Sequence, residues 1–436
     1  MNHFTFSWGT NYIAVRGLLR TLGHDLATPP RIGPAIAERG IACAHPFLCF
    51  SGKLVLGQLA AQLEGGERRL AFMSSLGPEA CRCADTSDYL RTLLSDHDGF
   101  SAHRLGGGSL AGALANLRSH FGPQIRKRQC FKAYAVFYGK VDLLYKVDKR
   151  CTRLRCLSST PKQVRALERE ALERIDRAPG PLALWRVSRW FDRTAARIPL
   201  REEPPSLRIG IVGGEHILSE LDSVMTLIKG MAERGVLLDW RSGFRMLARS
   251  TEKTLAPLKA KCRDYLHSAP STSEIFSCAH ALDFISEGYD GLLHIYAFGC
   301  MPQTALKPVL QRIASDAGMP LLSLAIGDRF AEEGLEGRLE AFIDLLDTQK
   351  SEGDPQCINL SGLESTSDRS RAKCSFLTRT RRFLHRHTVE RADASSTPSR
   401  TDSARWLGSS QNAVSSAARR PEAHGGLPAH SSVPRW

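Results

Sequence analysis

Residues 290–302 have the sequence DGLLHIYAFGCMP, an apolar run that ends in a Gly-Cys-Met-Pro turn. The length and bulk of the run predict a buried strand, and Gly299 marks a sharp exit from it. The stretch that follows, TALKPVLQRIASDAG, has the apolar spacing of a helix. We therefore expect Cys300 where a strand ends and a helix begins. Open α/β sheets bind ligands there, and the helix dipole favours a thiolate. A buried structural cysteine is the equally weighted alternative.

The composition is that of a soluble globular protein. The chain has 436 residues, of which 42% are hydrophobic and 24% are charged, and it is long enough for two or three domains. Its start lacks a basic segment followed by an apolar one, and no apolar run is long enough to span a bilayer. We therefore expect no secretory signal, no membrane span and a cytoplasmic location. Twelve cysteines in such a protein favour metal, redox or catalytic roles over disulfides.

The order of predicted strands and helices divides the chain into four parts. Residues 1–100 are expected to form an N-terminal α/β lobe, residues 101–206 a mainly helical section with a linker, and residues 207–350 a C-terminal α/β lobe. The predicted fold class is α/β, with two Rossmann-like parallel-sheet lobes joined by the helical section. Residues 351–436 are rich in Ser, Arg, Ala and Pro, which predicts a disordered basic tail.

The chain is basic, with a net charge of +14. Part of the positive charge lies in clusters such as residues 126–128 and 146–155. Such clusters could contact nucleic acid, or the phosphates of a nucleotide or coenzyme. Because no nucleic-acid-binding motif accompanies them, a solvated surface is favoured and we expect no nucleic-acid partner. Strongly salt-dependent binding to nucleic acid would contradict that expectation.

Three cysteines share one local setting, a turn beside Gly or Pro that precedes a predicted helix: Cys49, Cys81 and Cys300. The chain has no C-x-x-C pair, so zinc-ribbon and thioredoxin-like sites are not favoured. Thiolates that converge from separate loops can instead hold an iron–sulfur cluster, and three protein ligands would leave one iron open to substrate. For any one of the three, a buried core cysteine is the leading alternative.

Several sequence blocks, taken in order along the chain, resemble those of a known family. The chain resembles the 2-hydroxyacyl-CoA dehydratase superfamily, most closely the domain related to CoA-substrate-specific enzyme activases, over residues 5–348. The ATP-binding half of the activases has no counterpart here. The blocks that carry the resemblance are GTNYIAVRGLLRTLGHDLATPP, PFLCFSGKLVLGQ, SLGPEACR, LRIGIVGGE, YDGLLHIYAFGCMP and PLLSLAIGDRFAEEGLEGRLEAFIDLL.

The resemblance implies a metal centre and a chemistry. Carried over residue by residue, the cluster ligands of the family fall on Cys49, Cys81 and Cys300. The cofactor it implies is a [4Fe–4S] or double-cubane iron–sulfur cluster. In the dehydratases an ATP-driven activator supplies one electron, and a ketyl radical at the thioester allows water to leave. The implied function is therefore radical or low-potential electron-transfer chemistry on acyl-CoA thioesters.

The blocks also depart from the family pattern. The turn GPEACRC has two extra residues, so either Cys81 or Cys83 could be the ligand. The expected Pro-Phe after Cys49 is replaced, and the acidic pair of the family becomes Asp328-Arg329. These departures leave three interpretations open: a lyase of the dehydratase type, a component of one, or a non-enzymatic cluster-binding or scaffold partner that keeps the fold. The implied partners are an acyl-CoA substrate and an ATP-dependent activator protein as electron donor. We expect no association with a membrane, and formation of an oligomer is left open.

Two glycine-containing turns could contribute to a coenzyme site. Gly9-Thr10 and Gly213-Gly214 each precede a predicted helix, where main-chain N–H groups and the helix dipole can hold a phosphate. Both turns are short, so a plain turn is favoured for each.

Two histidines lie close in sequence to the predicted cluster ligands. His45 is four residues before Cys49, and His294 lies in the strand that leads to Cys300. Either could add a ligand or a proton donor, but a hydrogen-bonded structural histidine is the favoured interpretation for both.

Overall fold

The computed structural model divides the chain into two compact units, residues 1–365 and 366–436, and all the residues it describes belong to the first. Cys81, Cys83, Arg329 and the tail predicted to be disordered lie outside the described residues. The described residues are 2–3, 8–64, 70–74, 92, 100–104, 110–202, 205–220, 222–241, 243–267, 270–328 and 332–353.

Parallel strands occur in both halves of the described chain. In the N-terminal half, β1 (Asn2–His3) pairs with β2 (Asp25–Leu26), and β3 (Leu70–Ser74) pairs with β4 (Phe100–Arg104). A sheet of four parallel strands follows in the order β6–β5–β7–β8. Its strands are β5 (Leu207–Gly213), β6 (Val236–Trp240), β7 (Gly291–Ala297) and β8 (Leu321–Ile326). The predicted α/β class with a parallel sheet is confirmed.

Helices make up most of the remaining described chain, and a 3₁₀ turn at Gly9–Asn11 precedes the first of them. None of the described helices is long and apolar enough to cross a bilayer. The helices are α1 (Tyr12–Thr21), α2 (Pro34–Cys43), α3 (Phe50–Glu64), α4 (Leu110–Phe121), α5 (Lys127–Leu157), α6 (Pro161–Arg177), α7 (Pro181–Ala195), α8 (Glu215–Glu220), α9 (Asp222–Glu233), α10 (Phe244–Arg249), α11 (Glu252–Cys262), α12 (Thr272–Ser286), α13 (Met301–Ala317) and α14 (Glu332–Gly353).

The four-stranded sheet is covered on both faces, which explains its continuous apolar strands. All seven residues of β7 are buried. Leu293 and Ile295 share a core with apolar side chains of α9 and α14, whereas Leu292 shares another with α12 and α13. A strand that is buried on both faces has no need of polar residues at alternate positions. This is why the run at residues 291–297 predicts a strand without showing alternation.

The strand order places a topological switch point between β5 and β7. The chain passes from β5 to β6 on one side, returns across β5 to β7, and continues to β8. At such a reversal the loops diverge and leave a crevice outside the carboxyl ends of the strands. Gly213 is the last residue of β5 and Ala297 the last of β7, so the segments that follow them border this crevice.

The helical part of the chain packs around α5, which is 31 residues long. Helices α1, α6 and α7 pack against α5. Helix α1 therefore shares its core with the helical section that follows it by more than a hundred residues. The buried apolar residues of this core include Ile13, Leu18, Phe137, Val141, Leu167 and Phe191.

Helices α2 and α3 cross at two glycines. A Cβ atom on Gly40 would lie 1.9 Å from the Lys53 carbonyl oxygen, and one on Gly57 would lie 2.1 Å from the Ile36 carbonyl oxygen. The two backbones therefore touch, and no larger residue fits at either position. Because α3 is also buried on almost all sides, this crossing fixes the position of α3 against α2.

We expect Gly57→Ala to destabilise the protein by about 1–3 kcal/mol, because the added methyl group forces α2 and α3 apart. The free energy of unfolding, from urea titration followed by circular dichroism, measures the effect. Gly230→Ala is the matched control, since Gly230 lies inside α9 with open space around it. In the control, alanine is expected to be neutral or stabilising by up to about 1 kcal/mol. Equal effects of the two substitutions would contradict the prediction.

Candidate functional site

The loop that carries Cys49 lies directly against the loop that carries Cys300. The main-chain N–H of Phe50 donates a hydrogen bond of 2.9 Å to the Phe298 carbonyl oxygen. A Cβ atom on Gly299 would lie only 3.3 Å from the Cys49 Cα atom. Both cysteines are half-buried. The structure thus brings together the segments of two predicted metal ligands that are about 250 residues apart in sequence.

The end of β7 explains the position of Cys300. The Phe298 N–H donates to the Ile326 carbonyl oxygen of β8, and the Cys300 N–H donates to the Ala297 carbonyl oxygen. Between them Gly299 has φ +78°, in the left-handed region that favours glycine. Cys300 is then the N-cap residue of α13, whose first turn contains Pro302. The predicted strand end, sharp exit and helix start are all confirmed.

The loop after β8 is joined to the start of α3 at the same edge of the sheet by an ion pair with a buried lysine. Lys53 lies one helical turn after Cys49, and its ammonium group forms an ion pair with the carboxylate of Asp328, just beyond β8. Lys53 is only 5% exposed. A buried ammonium needs a partner, so this ion pair ties the start of α3 to the carboxyl end of β8.

Sequence reasoning did not single out Lys53, although a signal was present. Lys53 is the only charged residue between Phe50 and Leu63, in a stretch whose other residues are apolar or small and neutral apart from two glutamines. A lone charge within a buried helix requires a counter-charge. Its partner, Asp328, is 275 residues away, and no local pattern identifies it.

Three large apolar side chains that neighbour the two cysteines in sequence are exposed. Phe47 is 85% exposed, Phe298 is 67% exposed and Met301 is 53% exposed. Phe47 and Phe298 belong to the same two loops as Cys49 and Cys300, and Met301 directly follows Cys300 at the start of α13. The candidate site therefore opens onto a surface with large exposed apolar groups, a combination typical of contact surfaces.

The third predicted ligand belongs to a segment that the structure does not describe. Cys81 and its alternative Cys83 lie outside the described residues. Within the described ranges, no group of three or more His, Cys, Asp or Glu side chains is arranged to hold a metal ion. The described part of the chain thus supplies two thiols at one edge of the sheet.

The Gly213-Gly214 turn has a structural explanation. Gly213 has φ +133°, and a Cβ atom there would lie 2.0 Å from the Ile295 carbonyl oxygen. The Gly214 N–H donates to the same carbonyl oxygen at 2.8 Å. Since that N–H is already bonded within the sheet, it is not directed at a ligand.

The Gly9-Thr10 turn lies elsewhere, at the start of the 3₁₀ turn that leads into α1. A Cβ atom on Gly9 would lie 2.6 Å from the Ser219 carbonyl oxygen at the end of α8. Both residues line a cavity of about 670 Å³ between α1, α5, α6 and α9. The predicted phosphate-binding turn is thus next to a space that could hold a ligand.

The two histidines differ in their surroundings. His294 is fully buried, its Nε2 lies 3.0 Å from the Gln303 side-chain oxygen, and its Nδ1 lies 3.4 Å from the Ser323 hydroxyl. The favoured interpretation of His294 as a hydrogen-bonded structural residue is confirmed. His45 is exposed, and its Nδ1 accepts a hydrogen bond of 3.3 Å from the Phe47 N–H.

Comparison with known proteins gave no family assignment: no protein-family model matches the chain, and no curated protein matches it. The resemblance to the 2-hydroxyacyl-CoA dehydratase superfamily therefore rests on the sequence blocks alone.

We expect Asp328→Asn to destabilise the protein by about 1–3 kcal/mol at neutral pH, because it leaves the buried Lys53 ammonium without its counter-charge. Lys53→Met is expected to cost less, since the Asp328 side chain is 36% exposed and can be solvated alone. Urea unfolding of both variants measures the difference. A larger loss for Lys53→Met than for Asp328→Asn would contradict this explanation.

Burial lowers the pKa of His294 to about 4. The unfolded chain therefore takes up a proton that the folded chain excludes between about pH 6.5 and pH 4. The resulting contribution to stability is complete above pH 6.5 and is lost as the pH falls through this window. We expect His294→Gln to reduce the difference in unfolding free energy between pH 7 and pH 4.5 by about 2 kcal/mol. His45→Gln, at an exposed site, serves as the control, and an unchanged difference in the His294 variant would refute the assignment.

Proposed function

We propose that this chain is an iron–sulfur cluster-binding protein related to the 2-hydroxyacyl-CoA dehydratases and their activases. The observation that carries the proposal is the contact between the Cys49 and Cys300 loops at the carboxyl edge of the parallel sheet. The two loops, each with a half-buried cysteine, meet at the edge where open parallel sheets bind ligands. Ligation of one cofactor explains why both loops carry a cysteine.

The donor set fits such a group. Iron–sulfur clusters are held mainly by cysteine thiolates, commonly contributed by separate segments. Cys49 and Cys300 would be two ligands, and Cys81 or Cys83 the third. A bound cluster would supply single electrons at low potential, as chemistry on an acyl-CoA thioester requires. The [4Fe–4S] and double-cubane forms both remain within the proposal.

The chain's own residues have separate tasks in this arrangement. Cys300 is presented at the N-terminus of α13, where the helix dipole favours the thiolate form that binds metal. Gly299 leaves room for the Cys49 backbone. The ion pair of Lys53 with Asp328 holds the first turn of α3, and therefore the position of Cys49, against the sheet.

The wider features of the proposal follow from the resemblance. The substrate would be an acyl-CoA, and the electron donor an ATP-dependent activator protein. The exposed apolar side chains of Phe47, Phe298 and Met301 support a contact with such a protein beside the cysteines. We further propose that the β1–β2 and β3–β4 pairs belong to a second Rossmann-like lobe, that the tail is disordered, and that the protein is cytoplasmic.

Iron and acid-labile sulfide, measured after anaerobic purification, test the proposal. We expect both in the wild-type protein, and a loss of more than half in Cys49→Ala and in Cys300→Ala. Comparison of Cys81→Ala with Cys83→Ala identifies the third ligand. A metal-free wild-type protein, or unchanged iron in both the Cys49 and Cys300 variants, would refute cluster binding.

Cys43→Ala is the matched control for these variants. Cys43 is also half-buried and lies only six residues before Cys49. However, burial and the nearby Glu64 carboxylate raise the pKa of Cys43, and the proximity of Glu64 places this thiol near the opposite end of α3 from Cys49. Since α3 has 15 residues, the two ends are about 20 Å apart. The iron content of this variant should equal that of the wild type.

A further inference from the structure

Arg155 is a buried cation whose guanidinium group is only partly bonded. Its side chain is 1% exposed, and it forms an ion pair with Glu168 through Nη2. The Nε and Nη1 atoms are also buried, and no hydrogen-bond partner exists for either within the part of the chain that the structure describes. Buried donors without partners are costly, so the described residues leave charged donors here that a bound anion would satisfy.

Arg155 lines the cavity that also contains the Gly9-Thr10 turn. The cavity has a volume of about 670 Å³, within the range of small-molecule sites. Among the described residues, six cationic and four acidic side chains line it. The cationic ones are Arg31, Arg155, Arg165, Arg169, Lys229 and Arg245.

Several of the acidic side chains in this cavity are already committed. Glu168 serves both Arg155 and Lys229, the latter at 3.5 Å. Asp176 pairs with Arg16 at 2.8 Å. Burial raises the pKa of Asp148, which favours its neutral form. Arg165 and Arg245 pair with Glu233 and Asp142 outside the cavity lining. Arg155 and Lys229 share the single carboxylate of Glu168, so among the described residues one positive charge of these two lacks a counter-charge that an anionic ligand would supply.

The main chain adds a second feature that suits an anion. Gly9 and Thr10 begin the 3₁₀ turn that leads into α1, and the residues from Trp8 to Ile13 all line the cavity. The first N–H groups of a helix carry the positive end of its dipole. Such a helix start is a common phosphate site, and here it shares a cavity with the unpartnered Arg155 guanidinium group.

We propose that this cavity binds the phosphate group of a small molecule, with the unpartnered Nη1 group of Arg155 as a charged donor. Lys229 shares Glu168 with Arg155 and adds positive charge, and the helix start at Gly9-Thr10 adds the positive end of its dipole. A guanidinium N–H forms short, strong hydrogen bonds with the oxygens of a phosphate or a carboxylate. Phosphate is the better fit because its oxygens point in tetrahedral directions and can face donors on different walls of the cavity at once. The cavity volume leaves space for an attached nucleoside or pantetheine.

This site is separate from the cysteine edge. None of the described residues that line the cavity belongs to the segments 49–53 or 298–300, and Asp328 is not among them. Phosphate binding therefore does not depend on the proposed cluster. Cys300→Ala, even without iron, is expected to bind phosphate as the wild type does, so the two proposals can fail separately.

Isothermal titration calorimetry of the full-length chain with inorganic phosphate, ADP and coenzyme A, at constant ionic strength in chloride, tests the site. We expect saturable binding of at least one of them. Tighter binding of ADP or coenzyme A identifies a phosphate ester as the ligand, whereas binding of inorganic phosphate alone identifies a free-phosphate site. No saturable binding of any of the three overturns the proposal.

Arg155→Lys keeps the charge and removes the Nη1 donor, and we expect it to weaken binding about tenfold or more, the effect of one lost charge-assisted hydrogen bond. Arg128→Lys, at an exposed position on the same helix, is the control and should bind as the wild type does. If Arg155→Lys fails to fold, Lys229→Met takes its place, with an expected weakening of about threefold to tenfold. Wild-type affinity in the folded variants overturns the assignment.

Discussion

The described structure depends most on one short contact, in which the Phe50 N–H donates to the Phe298 carbonyl oxygen while Gly299 lies against the Cys49 backbone. It joins the start of α3 to the end of β7 across about 250 residues of sequence. A side chain at position 299 would both strain the left-handed backbone and press on Cys49. The geometry of the candidate site therefore follows from the absence of one Cβ atom.

Rigidity around this contact comes from the burial of α3. Its glycine crossing positions α3 against α2, and the Lys53–Asp328 ion pair positions it against the end of β8. A side chain on a buried helix with fixed neighbours has little freedom, and cofactor ligands need such positions. Cys300 gains the same rigidity from the N-terminus of α13. The two cysteines are therefore positioned by contacts of the backbone on either side of them.

The sequence predicts the features that depend on local patterns. The β7 run, the turn at Gly299 and the start of α13 are visible because burial, left-handed backbone and helix capping each impose a residue type. The sequence does not predict that Lys53 pairs with Asp328 or that the Arg155 guanidinium group is only partly bonded. Both features depend on contacts between segments that are distant in sequence and share no pattern. Gly213 shows the converse. A glycine before a helix suggests a phosphate turn, but close packing against Ile295 requires glycine there without a ligand.

Helix α8 connects the two candidate sites. It starts just after Gly214. A Cβ atom on Gly214 would lie 3.6 Å from the Tyr296 Cα atom, near the end of β7. Near its other end, Ser219 lines the Arg155 cavity. Six residues of helix span about 9 Å. The phosphate cavity therefore lies one short helix away from the crevice at the switch point. A ligand anchored at Arg155 by a phosphate would have to extend along α8 to reach the crevice outside β5 and β7. Remote anchoring of this kind lets binding energy from a non-reacting group position a reactive one.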